Sequence, residues 1–280
     1  MSTLIYAIGG GLGHFTRSLA VVHTLRAQLP GPCTVLVSPG VAKNAAPCLD
    51  SMLAVRELPM DAVKSPECTL QWVRQELAEL KPETLVVDCF PLGLFGELPP
   101  VLDAFAGPRI HVARALKSIP GIREGTRRPL YDLIYTVESC QHDQMECLRR
   151  LGRELRPLEL SYPSAHAPAP PADLGQSVLV VHSGDDRENR LLLDLARTAF
   201  PEWPPLLVTA ERPAHDLPPP ARWLPAYPAW PWFSTAAAVV SACGFNTMEQ
   251  MRGLSTPHAF LPMPRRFDDQ HRRARLRSRS

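Results

Sequence analysis

Leu4-Ile5-Tyr6-Ala7-Ile8-Gly9-Gly10-Gly11-Leu12-Gly13-His14 decides how the rest of the chain is read. Leu4–Ile8 is an apolar run of strand length that ends abruptly in glycine. Phe15–Leu29 follows, with Phe15, Leu19, Val22 and Leu29 on one helical face. A buried strand that turns through glycine into a helix opens a β–α–β unit. The glycines let the backbone turn tightly and approach a ligand, and the helix start offers unpaired N–H groups to an anion. A dinucleotide fingerprint fits poorly. Its G-x-G-x-x-G spacing needs glycine at position 14, where His14 stands, and the second strand runs into Ser38-Pro39-Gly40 with no acid for a ribose. The G-x-x-x-x-G-K-[ST] signature of a P-loop is absent.

The same alternation continues outward. Thr34–Val37, Val55–Leu58, Thr84–Val87, Arg109–Ala113 and Leu133–Val137 read as strands, and Thr69–Leu80 as a helix stopped near Pro82. Residues 161–176 are rich in proline and alanine and read as a linker. Beyond it come strands at Ser177–His182, Leu206–Thr209, Arg222–Leu224, Ala237–Ser241 and His258–Leu261, with helices at Glu188–Phe200 and Thr247–Arg252. The expected architecture is α/β, with two Rossmann-like domains, residues 1–160 and 177–280, whose parallel sheets face across a cleft.

Composition narrows the function. With 280 residues, 45% hydrophobic and 21% charged, the chain is an ordinary globular one. Thirty basic against 28 acidic residues give a net charge of +2, too small to point to nucleic acid. Seven cysteines, an odd number without a C-x-x-C pair, read as reduced thiols of a cytoplasmic protein. The N-terminus reads as a first strand rather than a signal peptide, and no apolar run reaches the ~20 residues of a spanning helix.

Two groups of residues carry chemistry. In the first half, Gly10, Gly11 and Gly13 form the ligand-facing loop, and His14 stands where a near-neutral imidazole can take a proton from a hydroxyl. Asp88, at the end of Leu85-Val86-Val87, is placed either to orient His14 or merely to close a turn; Arg17 is suited to an anion or to a carboxylate. In the second half, Ser241-Ala242-Cys243-Gly244-Phe245-Asn246-Thr247-Met248-Glu249 repeats the strand–glycine–helix logic. Gly244, Asn246 and Thr247 can hold a diphosphate and Glu249 a ribose; taken alone, Asn246 and Glu249 also read as a near capping box. Pro257–Pro264 then leads to Asp268-Asp269-Gln270, an acid–amide pair suited to sugar hydroxyls. A metal on Asp268, Asp269 and His271 is disfavoured, because neighbours in one loop rarely converge on one ion.

These motifs, in this order, resemble the GT-B glycosyltransferases, above all the bacterial N-acetylglucosaminyltransferase that forms lipid II. The likeness rests on Gly9 to His14, Ser241 to Glu249, Pro257, Pro262 and Asp269-Gln270, together with Trp223-Leu224-Pro225, similar to the W-x-P segment of the family. It implies His14 as base or acceptor contact and Trp223 stacked on the nucleotide base. It further implies Gly244, Asn246 and Thr247 on the diphosphate, Glu249 on the ribose, and Asp269 and Gln270 on the donor sugar. The implied co-substrate is a nucleotide sugar, UDP-linked in the first instance, whose sugar passes to an acceptor hydroxyl with inversion and without metal or cofactor. Two departures stand out. His182-Ser183-Gly184-Asp185-Asp186 puts two acids where an anion is expected, with Arg187 and Arg190 as candidate compensation. The C-terminal domain also reads as short. Its arginine-rich tail, Arg272–Ser280, reads as a frayed end, or as a surface drawn to anionic lipid at the inner face of the membrane. The alternatives are a nucleotide-sugar hydrolase of the nonulosonic-acid type, sharing the loop Gly13-His14-Phe15-Thr16-Arg17, and a non-catalytic nucleotide-sugar-binding partner subunit.

Overall fold

The computed structural model describes residues 2–119, 129–164 and 168–278. It divides into two compact units, Met1–Pro163 and Ser164–Ser280.

In the first unit the strands are β1 (Thr3–Ala7), β2 (Cys33–Val37), β3 (Leu53–Glu57), β4 (Thr84–Asp88), β5 (Arg109–Ala113), β6 (Leu133–Thr136) and β7 (Leu155–Pro157). They form one parallel sheet in the order β3-β2-β1-β4-β5-β6-β7. The helices are α1 (Leu12–Thr24), α2 (Ala42–Ala45), α3 (Pro66–Leu80), α4 (Pro99–Ala104) and α5 (His142–Leu151). β1 and β4 are buried along their whole length, as a parallel sheet covered on both faces requires. Tyr6, Leu36, Leu85, Val87, Leu98, Tyr131 and Ile134 build one core with Val73 of α3 and Leu148 of α5. α3 shows its sequence signals plainly: Ser65 Oγ accepts from Cys68 N, Pro66 occupies the first turn, and Lys81 closes the helix in the left-handed region just before Pro82.

In the second unit β8 (Val178–Val181), β9 (Pro205–Thr209), β10 (Arg222–Pro225), β11 (Ala238–Ala242) and β12 (His258–Leu261) form a parallel sheet ordered β10-β9-β8-β11-β12. The helices are α6 (Asp186–Ala199), α7 (Phe245–Gln250) and α8 (Gln270–Arg277). Leu192, Leu193 and Ala196 of α6 pack on Val178, Val180, Leu207 and Val240.

Both sheets reverse direction of growth beside their first strand, between β1 and β4 and between β8 and β11. Ligands of open α/β sheets bind outside the carboxyl ends of the strands at such a reversal. The glycine–histidine loop follows β1, Asp88 ends β4, His182 follows β8 and Gly244 follows β11, so all four stand at reversal points.

Of the stretch 161–176, Ser161 N donates to Thr24 Oγ1 at 2.9 Å in the first unit, and residues 165–167 lie outside the described ones. The remainder folds onto the second unit, where Trp232 Nε1 donates to Pro168 O at 2.9 Å and Leu174 enters the core. The arginine-rich tail is a correction. It is not frayed over its described part but forms α8, and Arg273 is buried, donating to Cys243 O at 2.7 Å and to Asp268 Oδ1 at 2.8 Å. Asp268 balances the charge of Arg273, while Arg275 stays exposed. Arg279 and Ser280 lie outside the described residues.

Candidate active site

Gly11, at φ +87°, precedes α1 in a conformation that glycine adopts without strain, and Ser38 pins the loop by bonding both N (2.9 Å) and O (2.6 Å) of Gly9. α1 thus starts at Leu12, three residues before the expected Phe15, and takes His14 into its first turn. The imidazole lies directly over Gly9: a Cβ built there would sit 2.2 Å from His14 Nε2. On another side the ring stacks on Phe90, with centroids 5.4 Å apart.

His14 Nδ1 is 2.7 Å from Asp88 Oδ2, and both side chains are buried. Arg17, one turn further along α1, donates from Nε to Asp88 Oδ1 at 2.5 Å and from an Nη to Oδ2 at 2.6 Å. The same Arg17 Nη is also 3.2 Å from His14 Nδ1. The carboxylate is nearer and charged, so Nδ1–H donates to it, and Nε2 keeps the lone pair. Burial alone would raise the Asp88 pKa. The Arg17 charge and the hydrogen bonds from His14 and Arg17 overcome burial and hold the carboxyl well below its usual range. Burial pulls His14 below the ordinary histidine value, against the opposing pull of Asp88. The imidazole is therefore neutral at pH 7, held in one tautomer and able to accept a proton.

Of the two uses open to Arg17, the structure shows the carboxylate. It makes a bidentate bond to buried Asp88. Gly10 has open space around its Cβ position, as does Gly11. Gly13 lies inside the first turn of α1.

Some residues of this site escaped the sequence reading. Arg114, just past β5, is buried, and its charge acts on His14, Arg17 and Cys89. An arginine inside the apolar run Val112-Ala113-Arg114-Ala115-Leu116 is the signal that could have flagged it. Cys89, directly after Asp88, has φ +66°, an unusual conformation for a side-chain-bearing residue at a strand end.

In the second unit, Gly244 is the residue preceding α7, and a Cβ there would meet nothing within 4 Å. The helix begins at Phe245, so Asn246 and Glu249 do not form the capping box that their spacing suggested. Asn246 and Thr247 fall in the first turn, partly exposed. Glu249 Oε1 accepts from Arg252 at 2.6 Å. Trp223 sits on the edge strand β10, half-buried against the core, with Nε1 donating to Thr209 Oγ1 at 2.8 Å. Asp269 caps α8 by accepting from Arg272 N at 3.0 Å, and the buried amide of Gln270 accepts from Met263 N at 2.9 Å. The acid–amide pair therefore shapes the segment after β12. Asp185 caps α6, accepting from Glu188 N at 2.9 Å, and Asp186 accepts from Ala214 N at 2.8 Å, while Arg187 and Arg190 are exposed. Among the described residues, no three His, Cys, Asp or Glu side chains form a group that could hold a metal ion.

No protein-family model matches the chain, and no curated protein matches it in sequence. Solved structures do match in shape. A Phytolacca americana glycosyltransferase, UGT2, complexed with UDP-2-fluoroglucose and pterostilbene, superposes with a TM-score of 0.62 at 13% identity, over 99% of this chain and 83% of its own. The spinosyn rhamnosyltransferase SpnG, complexed with thymidine diphosphate, gives 0.58 at 16% identity over 94% and 81%. UDP-N-acetylglucosamine 2-epimerase from Rickettsia bellii gives 0.54 at 10% identity over 92% and 78%. At these identities the likeness defines the fold: the chain has the GT-B fold, two Rossmann-type units in tandem, which these nucleotide-sugar enzymes share.

Proposed function

We propose that the chain transfers a sugar from a nucleoside diphosphate sugar, most simply a UDP-sugar, to an acceptor hydroxyl, with inversion and without a metal ion. The observation that carries the reading is the neutral, tautomer-locked imidazole of His14, backed by ionised Asp88, at the reversal point of the first sheet. Nε2 takes the proton of the acceptor hydroxyl as its oxygen attacks the anomeric carbon. The bond from that carbon to the diphosphate oxygen breaks, and the electron pair leaves with the diphosphate. Asp88 holds the ring and stabilises the imidazolium that forms.

In this reading Trp223 stacks on the base, Gly244, Asn246 and Thr247 receive the diphosphate, and Glu249 contacts the ribose. Glu249, partly buried, is paired with Arg252 one helical turn on. Asp269 and Gln270 face the donor sugar only with what their internal bonds leave over. The solved neighbours carry a UDP-sugar in one case and thymidine diphosphate in another, which supports a pyrimidine nucleotide. The sequence contains no D-x-D triplet of the kind that holds a cation on a diphosphate. All seven cysteines are free thiols, which suits the reducing cytoplasm.

His14→Ala should lower turnover by about 10²–10⁴-fold while nucleotide affinity stays within about twofold, because the imidazole belongs to the first unit and the donor groups to the second. Unchanged turnover would remove the base. A second reading, hydrolysis of the nucleotide sugar, is favoured by the burial of His14, only 6% exposed: a water reaches it more readily than a bulky acceptor. Product analysis with and without acceptor separates the two.

A further inference from the structure

The second unit contains a histidine–carboxylate–arginine cluster that the mechanism above does not use. His182 directly follows β8, and its Nε2 is 2.7 Å from Glu188 Oε2 of α6. Arg265, in the segment after β12, grips the same carboxylate from both sides, with one Nη 2.6 Å from Oε2 and the other on Oε1. The imidazole is 8% exposed and Glu188 15%. Gly184 passes so close that a Cβ there would sit 2.0 Å from Glu188 Oε2 and 2.1 Å from His182 Nε2, so a side chain at this position would displace the pair.

The charged groups facing the imidazole are Glu188 of α6, Asp185 just before it, and Arg265 from the segment after β12; Asp268, on that last segment, acts on Arg265. The hydrogen bonds from Arg265 hold Glu188 at about 2, so the carboxylate is ionised and accepts Nε2–H. The other ring nitrogen, Nδ1, then carries a lone pair. Burial keeps His182 below the ordinary histidine value, hence neutral in the free protein at pH 7.

This arrangement answers the puzzle of two aspartates at a turn expected to meet an anion. Asp185 and Asp186 are engaged in capping α6 and holding Ala214 N. Glu188 is matched by Arg265. The one group of the cluster that can change its charge near neutral pH is His182.

Resting on the reading that the second unit holds the donor, we propose that His182 takes a proton from solvent onto Nδ1 when a nucleoside diphosphate binds, and that the resulting imidazolium, backed by Glu188, contacts the diphosphate. One N–H bond forms at Nδ1 and no bond of the ligand breaks. His182 is thus a proton-coupled diphosphate contact, separate from the base His14.

The test is calorimetric titration of the full chain with UDP and with thymidine diphosphate at pH 7.5, in Tris and in HEPES, whose ionisation enthalpies differ. The expected result is net uptake of up to one proton per nucleotide bound, and affinity that falls up to tenfold per pH unit above neutrality. Uridine, lacking the diphosphate, should give no uptake. His182→Gln should abolish the uptake and flatten the pH profile, Glu188→Gln should reduce the uptake, and His14→Gln should leave it unchanged. The wild-type buffer comparison stands even if a variant fails to fold. Nucleotide binding with equal heats in both buffers overturns the proposal and spares the donor reading; absence of binding by either nucleotide overturns both.

Discussion

Gly9→Ala is the sharpest perturbation of the first-unit site, because it acts through one atom. Gly9 does not occupy the left-handed region, so alanine is compatible with its backbone, and the whole effect comes from the added methyl. That Cβ would stand 2.2 Å from His14 Nε2, 2.5 Å from Cε1 and 2.6 Å from Cδ2, where ordinary contact begins at 3.4 Å. The ring must retreat by about 1.2 Å. A retreat of that size breaks or badly weakens the 2.7 Å bond to Asp88 and disturbs the stacking on Phe90. Losing a hydrogen bond to a charged group costs about 1.5–3 kcal/mol, and a unit of this size should melt roughly 3–12 °C lower. Turnover should fall on the order of 10²-fold, the usual result of a 1 Å misplacement. Gly10→Ala, with nothing within 4 Å of its Cβ, should leave the melting temperature unchanged and is the control for stability. The decisive assay is a double-mutant cycle by thermal or urea unfolding. In a His14→Ala background the methyl meets no ring, so Gly9→Ala should there cost almost nothing. Equal destabilisation in both backgrounds, or a Gly9→Ala protein as stable and active as the wild type, would refute the placement of the imidazole.

Two further expectations concern stability. Burial pulls His111 and His258 to about 4, while in the unfolded chain they titrate near 6.5. Between those values the unfolded state binds more protons, so their contribution is fully present above pH 6.5 and is lost as pH falls toward 4, by up to ~3 kcal/mol each. Urea unfolding at pH 7 and 4.5 should show the loss, and equal stability at the two values would contradict the burial of both rings. Arg273→Ala removes the hydrogen bonds to Cys243 O and Asp268 and leaves Asp268 without that partner, at a cost of about 2–4 kcal/mol. Faster proteolytic cleavage within 270–277 should accompany it, and a cleavage pattern like that of the wild type would mean that α8 is held by something else.

Central strands such as β1 and β4 were readable because they are buried on both faces and appear as unbroken apolar runs; the partly buried Arg109–Ala113 and the edge strand His258–Leu261 also match to the residue. Helix starts were less readable. α1 begins before its first periodic apolar residue, since Gly11 rather than a polar cap ends the turn. α4, α5 and β7 were not singled out: α4 opens on Pro99-Pro100, α5 mixes Met145, Cys147, Leu148 and Leu151 with six polar residues, and β7 is three residues long. α8 was taken for a loose end because composition does not reveal that Asp268 waits for Arg273. At the site, the pairing of His14 with Asp88 could be suspected from motif order. Three features could not: the ring's seat on Gly9, the clamp by Arg17, and the His182–Glu188–Arg265 cluster. The Arg17 clamp and the Arg265 contact depend on distances between segments far apart in the chain, and the seat on Gly9 on the exact path of a turn.

The adjacency of β1 and β4 has a consequence for how the protein is made. His14 and Asp88 are separated by 74 positions, and their strands can pair only after β2 and β3 have been synthesised and set aside. While the ribosome is still extending the chain toward residue 88, Ser38 can already pin the glycine turn, but Arg17 and His14 have no Asp88 carboxylate to bond. Such long-range parallel pairing is slow. Nascent chains stalled before β4 should therefore hold the early strands without an assembled base, and chaperone dependence should end once that strand is free to insert.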